Sequence, residues 1–383
     1  PKLVIRNIGL LISGDLQRPI LDADTVVATG ALITAVGREG DLDLGSAATL
    51  IDAHGAAVTP GLIDSHVHPV FADWTPRQNQ LGWIDSALNG GVTTMISAGE
   101  VHLPGRPKDI TGLKERAFAN ARPSGVKVLA GAPVVERGMV ESDFAELAAA
   151  GVTLLGEVGL GSVKAAQEAK QMVAWARKYG LRSTIHTGGP SIPGSGLIDK
   201  DVVLEADADV IGHINGGHTA LPLAQITCLC ESCSRAIEIV HNGNLTAGLH
   251  ALRLAKELNQ LERVILGTDS PAGSGVQPLG ILRLIAMLAS LGEIGAEIAL
   301  CFATGNTARV HGLAQGIIAP GRPCDLVIMD TAQHSAEPNL LKSIAAGDLP
   351  GIGMVIIDGA ICAHRSRTTP PASRLPEVVR RGT

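Results

Sequence analysis

Along the middle of this 383-residue chain, apolar runs recur that each stop at a polar or glycine residue, and their spacing constrains the fold more than any other feature. Candidate strands end near His66/His68, Ser97, Gly131, Glu157, His186, His213, His241 and Asp269; these make eight ends, the last five separated by 27 to 29 residues. Ala-, Leu-, Glu- and Lys-rich helical stretches lie between them, the βαβα alternation of a parallel sheet. A doubly wound sheet gives no reason for eight near-equal units with polar residues at their carboxyl ends. A (β/α)8 barrel does, and its active site lies at that face. The expectation is an α/β fold whose catalytic barrel spans residues 59–318.

The two ends of the chain have a different texture. Within residues 1–58 the runs LVIRNIGLLI and TVVATGALITAVG are separated by Gly and Asp turns, with no convincing helix. Residues 319–383 repeat that texture in CDLVIMD and GMVIIDGAICAHR, then pass into a polar, Pro-containing tail from Arg365. These two segments are expected to form one small β-sandwich. A closed barrel suits such a split because it starts and finishes on one side.

The sharpest motif is LIDSHVHPV, where His66 and His68 leave an apolar run two residues apart. Residues i and i+2 of a strand point to the same side, so both imidazoles can reach one metal ion. An H-x-H pair is weak evidence alone; its weight comes from Glu157, His186, His213 and Asp269, each closing a later apolar run. A satisfied core histidine explains any one of these positions but not five strand ends at once. Two divalent ions suit the set, His66 and His68 on one, His186 and His213 on the other, with Glu157 as bridge. Asp269 then touches the first ion and keeps an oxygen free as the catalytic proton acceptor. Such a centre activates water and polarises a carbonyl, and hydrolysis follows.

Several residues stay open between a functional and a structural reading. His241 fits a substrate contact, a partner behind the ligands or a structural role, and His218 in GHINGGHTA a substrate contact or a solvent-facing loop. Arg77 and Arg106 lie on the first and second barrel loops, placed either to pair with a substrate carboxylate or simply to be solvated. The Gly pairs of HTGG and INGG let backbone come close to a ligand, or relieve turns. Cys228, Cys230 and Cys233 form a C-x-C-x-x-C run without a fourth ligand at suitable spacing. They read as buried or reducible thiols, with structural zinc the alternative.

Composition narrows the partners. The chain carries 31 basic against 37 acidic residues and a net charge of −6, and its aromatic residues are 3 Trp, 1 Tyr and 4 Phe. Neither phosphate-backbone binding nor base stacking is served by that balance, so no nucleic acid is expected. No run reaches the roughly 18 uncharged apolar residues of a spanning helix, so no membrane is expected. The start, PKLVIRNIGLLISG, alternates like a strand and has no basic-then-apolar leader, and the scattered cysteines suit a reducing compartment. The expected location is cytoplasmic. With few rings to sandwich a flat ligand, of which Phe71, Trp74 and Trp83 lie near the first barrel loop, the expected substrate is small, polar and anionic.

TPGLIDSHVHP after a β-rich start, the later strand-end histidines, Asp269 and APGRPCDLVIMD together resemble the amidohydrolase superfamily across nearly the whole chain. GGVTTMISAG, HLPGRPKD, GEVGLG, HTGGPSIPGS and GHINGG look most like its enamidase branch of cyclic-amide hydrolases. The resemblance implies a binuclear centre held by His66, His68, Glu157, His186, His213 and Asp269, with zinc or mixed iron and zinc. It also implies hydrolysis of a cyclic amide, such as tetrahydro-6-oxonicotinate to 2-formylglutarate and ammonia, and by analogy a homotetramer. Where dihydroorotase-like relatives bridge their metals with a carboxylated Lys, TLLGEVGLG has only Glu157, as the enamidase branch does. Lys127 on the third strand is the one substitute, or else a charge behind the ligands or a substrate contact. The alternative activity is hydantoinase-like or dihydroorotase-like ring opening, or deamination of a heterocycle.

Overall fold

The computed structural model describes residues 1–69, 82–99, 122–191, 195–217, 219–271 and 275–381. The expected barrel is present. Its walls are Leu62–Val67, Val92–Ser97, Lys127–Leu129, isolated bridges at Leu154 and Val158, then Thr184–Ile185, Val210–Ile211, Ala236–Val240 and Val264–Gly267, with parallel pairing. Leu154 pairs with Arg182 and Val158 with Ile185, while Val67 pairs with Ser270, so the ring closes from the last strand back to the first. The fourth wall is thinner than its sequence suggests because Gly156 and Gly159, the latter at φ +98°, interrupt extended pairing.

The helices between the strands follow the pattern of their sequences. In Ala166–Lys178 the buried residues Ala169, Met172, Val173 and Ala176 fall at helical spacing and face the strands, while Glu168 and Arg177 stay out. Asn244 starts Leu245–Glu257 by accepting from the Ala247 N–H, and Asp199 caps Lys200–Ala206 in the same way. At the amino-terminal end of the barrel, Ile63, Ile96 and Leu154 pack against Ala308, and Val210, Ala236 and Ile265 against Val310. The short helix Thr307–His311 thus plugs the floor of the barrel.

Among the described residues, the chain ends build a five-stranded and a six-stranded sheet. The first runs Glu377–Arg381, Thr49–Asp52, Lys2–Arg6, Thr25–Thr29, Leu32–Gly37, and the second Ala360–His364, Gly351–Ile357, Leu326–Asp330, Ala57–Pro60, Leu10–Ile12, Ile20–Leu21. Both sheets turn apolar residues into one cluster, with Leu3, Ile5, Val26 and Ile51 from the first and Leu11, Val58, Leu326, Ile328 and Met354 from the second. Two elements differ from expectation. The strand Ala57–Pro60 straddles the expected limit at residue 58 and enters the first barrel strand across Gly61, where a side chain would collide with Thr93. The polar tail also ends in a strand, Glu377–Arg381, antiparallel to Thr49–Asp52. Arg374 secures it through two bonds, at 2.6 and 2.9 Å, to the buried carboxylate of Asp330.

Lys127 does not approach the polar face. It sits at the start of its strand, with its ammonium 2.6 Å from both Asp325 and Asp358 of the terminal module. A substrate contact or substitute bridge is therefore excluded. Asp325 comes just before the strand Leu326–Asp330 and Asp358 just after its antiparallel neighbour Gly351–Ile357, so the second sheet brings both carboxylates to the start of the third barrel strand. The three cysteines of TCLCESCS lie on or just after the helix Leu223–Ser232 as free thiols, Cys230 buried and the other two half-buried.

Candidate active site

Six predicted residues meet at the carboxyl-terminal mouth, and all are buried: His66, His68, Glu157, His186, His213 and Asp269. Strand alternation brings His66 and His68 inward, as their spacing predicts. A register shift between Asp64 and Val67 adds a second effect, since consecutive residues Ser65 and His66 both reach the interior. His213 and Asp269 follow their strands in left-handed backbone conformations, at φ +28° and +59°. Such strain in non-glycine residues is held only where surrounding bonds fix it, and the Asp269 N–H is anchored on the His66 carbonyl at 2.9 Å.

The carboxylates lie between the imidazoles. Glu157 has its Oε1 2.6 Å from His213 Nε2, 3.3 Å from His186 Nδ1 and 3.7 Å from His66 Nε2. Asp269 Oδ1 is 3.0 Å from His68 Nε2 and 3.7 Å from His66 Nε2. Among the described residues, two sets of three ligand atoms fall within 4.8 Å of one another: His66, His68 and Asp269, and His66, Glu157 and His213. His66 belongs to both sets. His186 stands beside Glu157 and donates from Nε2 to the Gly189 carbonyl at 2.9 Å, so its Nδ1 is the atom turned to the cluster.

Burial works to raise the Glu157 carboxyl, yet the charges of His213 and His66 and bonds from His186 and His213 hold it well below the usual range. Burial likewise opposes ionisation of Asp269, and the bond from His68 with the charges of His66 and His213 overcomes it. For His66, burial disfavours the cation while Glu238 and Glu157 push its pKa well up. These groups thus need positive charge among them. His66 Nε2 and His213 Nδ1 are buried ring nitrogens with no hydrogen-bond partner among the described residues, and an unpaired polar atom costs about 1–3 kcal/mol. Orphaned imidazole nitrogens beside ionised carboxylates are the donor set that divalent metals take.

His241 stands apart from the cluster. It is half-buried, with Nδ1 3.4 Å from Asn242 Oδ1, and burial lowers its pKa. Its neighbour Asn242 donates to the Asp269 carbonyl at 2.8 Å, which ties that loop to the site. The INGG loop does come over the cluster: a side chain built on Gly217 would lie 3.6 Å from Asp269 Oδ2 and 3.7 Å from Ser191 Oγ. Arg77, Arg106, His218, Phe71 and Trp74 lie outside the described residues. Trp83 is a buried core residue of the helix Trp83–Asn89, not a lining of the mouth.

Sequence reasoning missed two acids. Glu238 interrupts the apolar run AIEIV and lies inward behind His66, and Asp64 accepts from the Thr268 N–H and hydroxyl, clasping the first strand to the eighth. Burial raises Asp64 to about 6 despite those bonds. The available signal for Glu238 was a lone carboxylate in the middle of a strand whose other residues are apolar, a contrast that Asp64 beside Ser65 and His66 does not offer.

The amidohydrolase family model matches residues 57–362. The chain is 47% identical to enamidase of Eubacterium barkeri over 384 residues, covering 99% of this chain and all of that protein. It is 27% identical to adenine deaminase 2 of Rhizobium meliloti, covering 89% of this chain and 56% of the deaminase. A crystal structure of enamidase superposes with a TM-score of 0.95 at 47% identity, over 99% of this chain and 100% of that one. A prolidase complexed with N-methylphosphonate-L-proline superposes at 0.64 with 17% identity, over 95% and 100% of the two chains, a likeness of fold alone.

Proposed function

This chain belongs to the amidohydrolase family, and from that we propose an enzyme that hydrolyses the C–N bond of a cyclic amide as enamidases do. The observation that carries the reading is the pair of ligand sets meeting on His66, with Glu157 between imidazoles and Asp269 at the rim, in a chain this similar to enamidase. His66, His68 and Asp269 would hold one divalent ion, and Glu157, His186 and His213 a second, with Glu157 shared. Zinc, or iron with zinc, is the expected metal. When bound, such ions supply Lewis acidity to the amide carbonyl and lower the pKa of water.

The chain's own residues divide the remaining work. Asp269 has Oδ1 engaged by His68, while Oδ2 lies on the side of the INGG loop. From there it accepts the proton of the attacking water and returns it to the amide nitrogen, which leaves poorly unless protonated. Water adds OH to the carbonyl carbon and H to nitrogen as the C–N bond breaks. From an enamide the product is a carboxylate and an enamine, whose imine tautomer takes a second water and releases ammonia and an aldehyde. Tetrahydro-6-oxonicotinate, opened in this way to 2-formylglutarate, is the substrate we put first, and its ring carboxylate would find Arg77 or Arg106, with His218 or His241 as further contacts.

Six-membered lactams with and without a ring carboxylate, given to metal-analysed protein, test this reading. The expected result is turnover of the carboxylated enamide with ammonia and a trappable aldehyde in equal amounts, lost on chelation. Ammonia without aldehyde means deamination, ring opening without ammonia means hydantoinase-like or dihydroorotase-like action, and full turnover after demetallation sinks the metal reading. The same proposal takes units 1–58, 59–318 and 319–383, a cytoplasmic location and a tetramer. Light scattering that gives a monomer would remove the last.

A further inference from the structure

Behind the cluster lies a carboxylate that the reaction itself does not use. Glu238 stands in the strand Ala236–Val240 two residues beyond Ala236, whose side chain packs in the barrel floor; Ile237 and Ile239 join the apolar core. Alternation therefore sends Glu238 into the barrel interior one layer above the floor. It is buried, and its two oxygens collect donors from three places. Ser65 Oγ donates to Oε1 at 2.5 Å, while Oε2 accepts from His66 Nδ1 at 2.6 Å and from the His213 backbone N–H at 3.1 Å.

We propose that Glu238 is the positioning residue of the metal centre, fixing His66 as an Nδ1–H tautomer whose Nε2 faces the ions and holding His213 in its strained backbone conformation. The inference rests on the metal reading above. Three observations carry it. His66 belongs to both candidate sets, and its Nε2 is a buried nitrogen without a hydrogen-bond partner among the described residues. His68 and His186 are backed by the neutral carbonyls of Gly99 and Gly189, whereas His66 is backed by a carboxylate, which makes its imidazole the more electron-rich ligand. The bond to the His213 N–H falls at a residue whose φ of +28° needs an outside restraint, and His213 belongs to the second set. One buried carboxylate thus sets a ligand on the first strand and another after the sixth.

The test uses three variants of the whole protein. Glu238→Gln keeps the shape: its oxygen can accept both bonds now made to Oε2, and its amide can donate to Ser65 where Oε1 now accepts, so the charge is removed and only the Ser65 bond is reversed. Glu238→Ala removes the acceptor, and Glu238→Asp restores the charge on a shorter arm. Metal affinity by chelator competition is expected to fall about 10–100-fold in Glu238→Ala. A smaller loss is expected in Glu238→Gln, with partial recovery in Glu238→Asp. The visible absorption of the cobalt-loaded protein should shift in Glu238→Gln, a readout that a merely structural role would leave still. If Glu238→Ala does not fold, Glu238→Gln decides. Wild-type affinity and an unshifted cobalt spectrum in Glu238→Gln and any folded Glu238→Ala overturn the role of Glu238 while leaving the metal reading intact. A wild-type protein that binds no metal overturns both.

Discussion

Asp269 adopts a left-handed conformation, φ +59°, that aspartate and asparagine tolerate better than most residues. Asparagine is therefore the informative substitution, since it keeps the backbone and the bond to the His66 carbonyl and removes only the charge and the proton acceptor. Asp269→Asn is expected to lower kcat about 10²–10⁴-fold, the usual worth of a general base, with metal content largely intact. Rates near wild type would refute the proton-shuttle role. At this scale most of the site was legible, because His66, His68, Glu157, His186, His213 and Asp269 each end an apolar run and a barrel gathers such ends. Glu238 and Asp64 were not singled out, because an acid inside a strand shows neither what it faces nor which strand supplies its donors.

Lys127 belongs to the scale of elements, where it joins a barrel strand to the terminal sheets. Its removal leaves Asp325, whose side chain is 1% exposed, without its cation. Lys127→Met should destabilise the protein by about 3 kcal/mol in urea unfolding near pH 8. Burial already raises the Asp325 carboxyl, and Lys127 opposes that rise. Without Lys127 the folded carboxyl holds its proton to higher pH than the unfolded one, so acid favours the folded state. The deficit should shrink between pH 8 and pH 5, and a deficit that grew would contradict this account.

The helix Leu223–Ser232 offers a second check at the same scale. Burial pushes Cys230 up to about 11, and Cys301 and Cys324 up to about 12. At pH 8 these three thiols should resist a thiol reagent, whereas Cys228, Cys233 and Cys362, which are half-buried, react first. Modification of Cys230 ahead of Cys228, read by peptide mass, would be inconsistent with this packing. The spacing C-x-C-x-x-C told nothing of this, since helix geometry decides which thiol faces the core. The strand Glu377–Arg381 was missed for a related reason: its sequence reads as a polar tail, and what makes it a strand is an open edge supplied by Thr49–Asp52.

For the molecule as a whole, imidazoles and carboxylates from strands far apart in sequence are confined at one barrel mouth, and a ligand that binds only this arrangement stabilises the fold by mass action. Free metal at 100 times its Kd is worth about 2.7 kcal/mol per site. Chelation should therefore lower Tm by several degrees and zinc should restore it, while an unchanged Tm on full demetallation would count against a metal site in the folded state.

The sequence by itself determined the barrel and its polar mouth, because period, strand length and the residue at each carboxyl end are local properties of the chain. Only the tertiary structure decided that Lys127 braces the terminal sheets, that His66 is common to both candidate ligand sets, and that Glu238 stands behind it. Those facts depend on which side chains face one another across the barrel, a matter of register and closure between strands that no single segment encodes.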